Sequence, residues 1–241
     1  MARLPQGTRI TWLGHAMFAV RTPGGRTVVF DPFIAGNPAF PADGRKELAN
    51  VDLILVSHAH NDHMGDAASL SRATGAPIVC VHEISIFLAS QGVQVVGMNK
   101  GGSAEVAGER VTMVGADHSS GYVDERGRVV FGGEAAGFVL HLGEAAGEAI
   151  YHAGDTGLFG DMALIGEMYR PSVALLPIGG HYTMGPREAA RAARMIGVET
   201  VVPMHYGTFP PLTGRPDALR AELEGTGIEV RALEPGQSVS L

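Results

Sequence analysis

The segment His58-Ala59-His60-Asn61-Asp62-His63 follows directly on the apolar run VDLILV, Val51 to Val56. A short run of aliphatic and β-branched residues reads as a buried strand, so this polar cluster lies where a strand leaves the core. In an extended segment, side chains two apart face the same way, so His58 and His60 can grip one ion. Asp62 and His63 follow at the turn and can aim at a second ion beside the first. Neutral imidazole and carboxylate are ligands for Zn²⁺ and related borderline ions. A helix from about Gly65 would turn its positive end toward the loop, favouring the unprotonated histidines that metal binding needs. The competing reading is a solvated loop that happens to be histidine-rich. The choice depends on whether the rest of the chain supplies the missing ligands.

Short apolar runs bounded by Gly, Pro and Asp recur along the chain. Arg9–Val20, Arg26–Pro32, Val51–His58, APIVCVH, VQVVGM and ERVTMVGADH read as strands. So do AAGFVLHL, EAIYHAGD, SVALLPIG, ETVVPMHYG, IEVRAL and QSVSL. Helices are predicted over Gly65–Gly75, Glu83–Gly92, Phe159–Arg170, Gly185–Gly197 and Pro216–Gly227, several ended by glycine or proline. The glycine-rich stretch Ser119–Gly137 reads as a loop or flap. Strands in pairs and triplets between single helices imply an α/β chain with two sheets face to face and helices outside, a four-layer αββα sandwich. The absence of repeats, linkers and low-complexity tracts makes one domain, 1–241, the simplest organisation.

His118, Asp155 and His205 each end an apolar strand, next to or near glycine. In α/β folds sites collect at strand C-termini, so these three could converge on the first cluster. His15 follows a glycine inside a strand pattern, which can mark a bulge aimed at a site. His181 lies on a glycine-rich loop past a strand, a place suited to a catalytic side chain. His141 and His152 sit within strands and read as structural. His82 precedes a helix and reads as a cap or surface residue.

Composition narrows the partners. A formal net charge of -7 without a sizeable Lys/Arg cluster disfavours nucleic acid. The single cysteine, Cys80, lies in an apolar run, excludes an internal disulfide and suits a reducing cytoplasm. No run is long and apolar enough to predict a membrane span, and no signal peptide is expected.

The motifs SHAHNDH, GADHSS, YHAGDTG and PMHYGT together resemble the metallo-β-lactamase superfamily. TWLGHAMF, FDPF, GMNKGG, PIGGHYTMGP and PMHYGTFP are similar to its branch of metal-dependent hydrolases related to ascorbate-6-phosphate lactonase. The resemblance runs from about Thr11 to Thr208. It implies the metallo-β-lactamase fold with a dinuclear site at one edge: His58, His60 and His118 on one ion, Asp62, His63 and His205 on the other, Asp155 bridging. Asp31 matches a family aspartate that would hydrogen-bond a ligand histidine from behind. Histidine at position 63 departs from the β-lactamases that carry cysteine there. Histidine at position 60 departs from the oxygen-reducing di-iron branch.

The resulting expectation is metal-assisted hydrolysis of a small molecule by a water held between two ions about 3.5–4 Å apart. Zn or Mn lead as the ions, with Fe, Co and Ni also admitted. Asp62 would orient the nucleophile, and His181 would donate a proton or bind an anionic substituent. A lactone is the favoured substrate. A phosphodiesterase and a non-catalytic metal-binding or sensor protein are the alternatives. The branch also implies a homo-oligomer.

Overall fold

A computed structural model describes residues 4–124 and 126–240. The first part of the chain forms β1 (Arg9–Trp12), β2 (Phe18–Arg21), β3 (Thr27–Phe30), β4 (Leu53–Leu55), α1 (Asn61–Met64) and α2 (Ala67–Thr74). Then come β5 (Ile78–Val81), α3 (His82–Ala89), β6 (Val95–Met98), β7 (Ser103–Val106) and β8 (Glu109–Gly115). A small hairpin, β9 (Gly121–Val123) and β10 (Val129–Phe131), precedes β11 (Ala136–His141), β12 (Gly147–His152), α4 (Met162–Tyr169) and β13 (Pro171–Pro177). The last elements are α5 (Pro186–Ile196), β14 (Thr200–Met204), α6 (Pro216–Glu222), β15 (Glu229–Val230) and β16 (Ser238–Val239).

The strands form two seven-stranded sheets, ordered β16-β1-β2-β3-β4-β5-β6 and β15-β14-β13-β12-β11-β8-β7. Each is antiparallel in one half and parallel in the other, β3 through β6 and β12 through β15. The period of two along each strand decides which layer a side chain joins. Val28 and Phe30 share one apolar cluster with Val111, Met113, Phe138, Leu140, Val173, Leu175, Val202 and Met204 from the facing sheet. The alternate residues Val139, Tyr151, Ala174, Leu176 and Val201 pack outward against Met162, Ile165, Ala189, Ala193, Ile196 and Leu219 of α4, α5 and α6. Leu70 of α2 and Ile84 and Leu88 of α3 cover the other sheet. This is the expected αββα sandwich of the metallo-β-lactamase fold. Among the described residues no helix is long and apolar enough to cross a membrane.

Three expectations need correction. Arg9–Val20 is not one strand: Gly14 and His15 take positive φ, Met17 N–H returns to Gly14 O at 3.0 Å, and β1 and β2 pair as a hairpin. Ser119–Gly137, read as a loop or flap, contains a hairpin, because β9 and β10 pair across it, and β11 begins at Ala136. Edge strand β7 was hidden by its sequence, SAEV, whose exposed positions carry no apolar pattern.

Two glycines are required where the chain turns toward the site. A Cβ on Gly14, at φ +90°, would lie 2.5 Å from Ala39 O. A Cβ on Gly154, at φ +63°, would meet Ala136 O at 2.7 Å and Ser57 Cβ at 2.8 Å. Gly154→Ala therefore adds overpacking to left-handed strain, and about 2–4 kcal/mol of stability should be lost in urea denaturation. A loss under about 1 kcal/mol would show that the loop relaxes freely.

Candidate metal centre

The site residues gather where strands end at one edge of the sandwich. Asp31 follows β3, His58 follows β4, His118 follows β8, Asp155 follows β12 and His205 follows β14. At this edge the sheets are stitched together: Ala136 N–H of β11 donates to Ser57 O at 3.0 Å. His60 is extended at φ -62°, ψ 147° and stands just before α1, so Asp62 and His63 lie within a helical turn rather than a loose loop. His63 N–H and Met64 N–H both donate to His60 O, at 3.0 and 2.9 Å. A separate short helix, α1, thus precedes the expected one, which begins as α2 at Ala67; the sequence pattern did not show it and put Asp62 and His63 at a turn.

Three groups of side chains offer ligand atoms within 4.8 Å of one another: His58, His60 and His118; His58, His63 and Asp155; and His15, Asp62, His63 and His205. The seven residues expected as ligands all fall in these groups. Asp155 lies among them, with Oδ2 3.0 Å from His205 Nε2, 3.4 Å from His63 Nε2 and 3.7 Å from His118 Nε2. His58 Nε2 and His60 Nδ1 face each other at 2.9 Å, as the two-residue spacing predicted. His63 Nε2, His205 Nε2 and Asp155 Oδ1 are buried and have no hydrogen-bond partner within the protein. Buried polar atoms are nearly always paired. Lone pairs converging without donors suit a cation, and the imidazole and carboxylate set fits a divalent metal.

Behind this shell, one buried carboxylate sets the imidazole tautomers. Asp31 accepts Ser57 N–H at 2.7 Å, Ser57 Oγ–H at 2.7 Å and His63 Nδ1–H at 2.8 Å. Ser57 Oγ spends its proton on Asp31, so it accepts from His58 Nδ1–H at 2.9 Å. Both histidines are left with Nε2 free to face the centre, which is what outer partners of ligand histidines accomplish. Asp31 was expected behind the ligands; Ser57 was not, and no spacing rule distinguishes it from an ordinary strand-end serine.

His15 falls in one of these groups, with its ring against His205 at 3.9 Å between centroids. Its Nε2 is 3.0 Å from Asp62 Oδ2, and its carbonyl accepts His205 N–H at 3.0 Å. His15, Asp31 and His205 are non-glycine residues at positive φ, so the backbone is strained at three points of one site. His181 is exposed on the loop after β13, with its ring against Tyr182 at 4.5 Å. That loop adjoins His205, since a Cβ on Gly179 would lie 2.3 Å from His205 O, but His181 joins none of the ligand groups. His152 is structural, with Nε2–H donating to Ala16 O at 3.0 Å and Nδ1 accepting Gly154 N–H at 3.1 Å. His141 is likewise outside the site, bonded to Thr112 Oγ1 at 2.9 Å.

Electrostatics prepare most of these groups for a cation. Burial, then the neighbouring charge of His63, holds His58 well below the ordinary imidazole range. Burial lowers His60 and His118 too. Burial takes His15 down to about 4 even against its bond to Asp62. Burial alone would raise Asp155, but His205 and His63 outweigh it and hold it well below the carboxylate range. Burial would neutralise His63, yet Asp155 and Asp31 outweigh it and push it well above the ordinary value, so metal competes there with a proton.

Without metal these shifts predict the acid behaviour. His15 stays neutral in the fold down to about 4, whereas its unfolded value is 6.5. The unfolded chain binds that proton first, so this stabilisation is present above 6.5 and lost as pH falls toward 4. Buried His58 and His152 act in the same direction. Asp31, at about 2 against 3.8 unfolded, removes further stability below pH 3.8. His63 runs the other way: its contribution is complete below 6.5 and is lost as pH rises through its raised value. The contribution of His63 is constant below 6.5, so the lowered histidines act alone in that window, and chelator-treated protein should lose on the order of 3 kcal/mol between pH 6.5 and 4, read from urea midpoints. Stability that stays level or rises between those pH values would show that burial does not hold His15 and His58 neutral in the fold.

Two packed mixed sheets with a His/Asp cluster at one edge are the architecture of the metallo-β-lactamase fold. The family profile described as "Beta-lactamase superfamily domain" matches residues 26–206. The chain belongs to that superfamily and, within it, to the UPF0173 metal-dependent hydrolases. It is 51% identical over 231 residues to a UPF0173 metal-dependent hydrolase of Solibacter usitatus, covering 95% of this chain and 98% of the relative. A homologue of the same description in Methanopyrus kandleri is 49% identical, covering 95% and 98%. Among solved structures, Igni18, a metallo hydrolase of Ignicoccus hospitalis, superposes with a TM-score of 0.83 at 39% identity, covering 96% of this chain and 97% of that one.

Proposed function

We propose that this metal-dependent hydrolase works with two divalent ions and opens a small carboxylic ester, a lactone in the first instance. The observation that carries the reading is the central carboxylate: Asp155 Oδ2 lies within 3.0–3.7 Å of histidines from both sides of the site. His58, His60 and His118 would hold one ion, Asp62, His63 and His205 the other, with Asp155 between them. Zn and Mn suit the donor set best, and Fe, Co or Ni are compatible with it. When bound, the pair supplies a water whose pKa falls from 15.7 toward about 7 and a Lewis acid for the substrate oxygen.

The chain's own residues do the rest. Asp62 keeps its carboxylate ionised: burial opposes this, but the bond from His15 and the proximity of His63 outweigh it. Its side chain is 33% exposed, so it can reach the cleft and, as an ionised acceptor, orient the attacking water by a hydrogen bond. Neutral His15 fixes the carboxylate orientation through Nε2–H. His181, exposed at the neighbouring loop, is assigned to substrate contact or leaving-group protonation at the mouth. His181→Ala should then change kcat or KM for lactones without changing metal content. Unaltered kinetics would remove it from the mechanism.

The decisive experiment loads the chelated protein with Zn²⁺ or Mn²⁺ and measures turnover of γ-butyrolactone, phenyl acetate and bis(p-nitrophenyl) phosphate. Lactone opening that depends on metal supports the reading. Preference for the phosphodiester, or tight metal binding without turnover of any of them, overturns it.

A further inference from the structure

The hairpin of β9 and β10 has two unlike faces. Its register pairs Val129 with Val123, Val130 with Tyr122 and Phe131 with Gly121. By strand alternation Val123, Val129 and Phe131 share one face and Tyr122 and Val130 the other. Tyr122 packs on Phe87 of α3, with 4.3 Å between ring centroids. The first face is left open: Val123, Val129 and Phe131 are 67%, 80% and 71% exposed. Three large apolar residues side by side on an exposed strand pair mark a binding surface more often than chance.

This face is joined to the metal centre. Ser120 Oγ accepts Ala59 N–H at 3.1 Å and donates to Gly132 O at 3.2 Å, pinning the hairpin base to the residue between His58 and His60. Val123, Val129 and Phe131 then line the same cleft as His60 and His118, a space of about 620 Å³. That size suits a small-molecule site, which typically falls within roughly 300–1,000 Å³. Among the described residues neither Lys nor Arg lines this cleft or the neighbouring one that reaches Asp62; Arg126 and Arg128 line a further pocket with Tyr122 and Val130, on the hairpin's other face. The acidic wall residue Glu134 is taken up by Lys100. An anionic substituent would find neutral donors such as Asn61 and Ser119 but no Lys or Arg among the described residues of these walls, and the chain's net charge of -7 adds repulsion.

We propose that the open face of the β9–β10 hairpin binds the hydrocarbon part of a neutral lactone or ester whose carbonyl lies at the His60–His118 end of the cleft. The proposal rests on the carboxylic-ester reading above and sharpens it: the substrate is uncharged and carries an alkyl or aryl tail, and a phosphorylated sugar lactone is a poor fit.

The test measures kcat/KM of the Zn²⁺-loaded protein for γ-butyrolactone, γ-hexalactone, γ-octalactone and γ-decalactone, and binding of the neutral fluorophore N-phenyl-1-naphthylamine. Wild type should gain about two- to fourfold per added methylene, as burial of hydrocarbon predicts. The double variant Val129→Ser/Phe131→Ser should flatten this dependence and weaken fluorophore binding at least tenfold. The dependence is a slope within each protein, so a general change in activity does not enter it. A flat slope in wild type, or fluorophore binding equal in the variant, overturns the proposal while lactone turnover leaves the hydrolase reading standing. If no lactone is opened, the ester reading falls and the fluorophore alone decides whether the apolar site exists. If the variant instead converts a wild-type oligomer to a smaller species in sedimentation, a second copy covers this face and the proposal is wrong.

Discussion

Asp155→Ala is expected to abolish metal-dependent hydrolysis and to remove the thermal stabilisation that metal gives. The carboxylate stands between His205, His63 and His118, so its loss affects both ends of the centre. Metal affinity should fall by more than the ~10–100-fold typical of losing an outer partner, because here a charged donor itself is lost. In wild type, metal at about a thousand times its Kd adds roughly 4 kcal/mol. For a chain of this length that corresponds to a rise in Tm of about 8–16 °C. In the variant the same metal should raise Tm little, and equilibrium dialysis should find fewer than the wild-type number of ions. The metal-free variant should not be less stable by a comparable amount, because His63 then loses one of its two carboxylates and can settle neutral. Wild-type turnover in this variant would remove Asp155 from the centre and with it the two-ion arrangement.

The sequence made one half of this site legible and the other half conditional. His58, His60, Asp62 and His63 are neighbours, so strand periodicity alone placed the first two on one side of an ion. His118, Asp155 and His205 are far apart in the chain. Their convergence depends on the C-termini of β8, β12 and β14 reaching one edge, and that is a property of sheet order rather than of any local pattern. Strand-end position was therefore the right signal, and family resemblance supplied the grouping.

What stayed hidden was hidden for physical reasons. The β1–β2 turn was read as a continuous strand because Ala16 and Met17 extend the apolar run across it. Only the left-handed backbone at Gly14 and His15 breaks the extended chain there. Strand β7 and the β9–β10 hairpin carry too few buried residues to show alternation, since one is a sheet edge and the other touches the core only through Tyr122. His15 was expected near the ligands, but its link to Asp62 spans 47 positions and cannot be read from spacing. Ser57 and Ser120 act through single hydroxyls whose partners are fixed only once the two sheets meet.

Asp31 should prove nearly as costly to lose as a ligand, although it is expected to touch no ion. Its carboxylate is 1% exposed and takes three donors, Ser57 N–H, Ser57 Oγ–H and His63 Nδ1–H. Asp31→Ala strands all three in the interior, and breaking a buried charged pair in this way costs about 3–5 kcal/mol. Tm should fall by roughly 6–20 °C, and metal affinity by about 10–100-fold as His58 and His63 lose their orientation. Asp31→Asn separates the two effects. The amide keeps the shape of the side chain but offers one acceptor oxygen in place of two. Two donors of Ser57 and one of His63 then compete for it, and the NH₂ group faces whichever is left. If it faces His63, the stable tautomer carries the proton on Nε2, the atom aimed at the centre, and the imidazole no longer donates its lone pair there. Asp31→Asn should therefore recover part of the stability lost in the alanine variant but little of the metal affinity. Calorimetric titration with Zn²⁺ beside thermal unfolding reads the two separately. Recovery of full affinity in Asp31→Asn would show that His63 is oriented by packing alone.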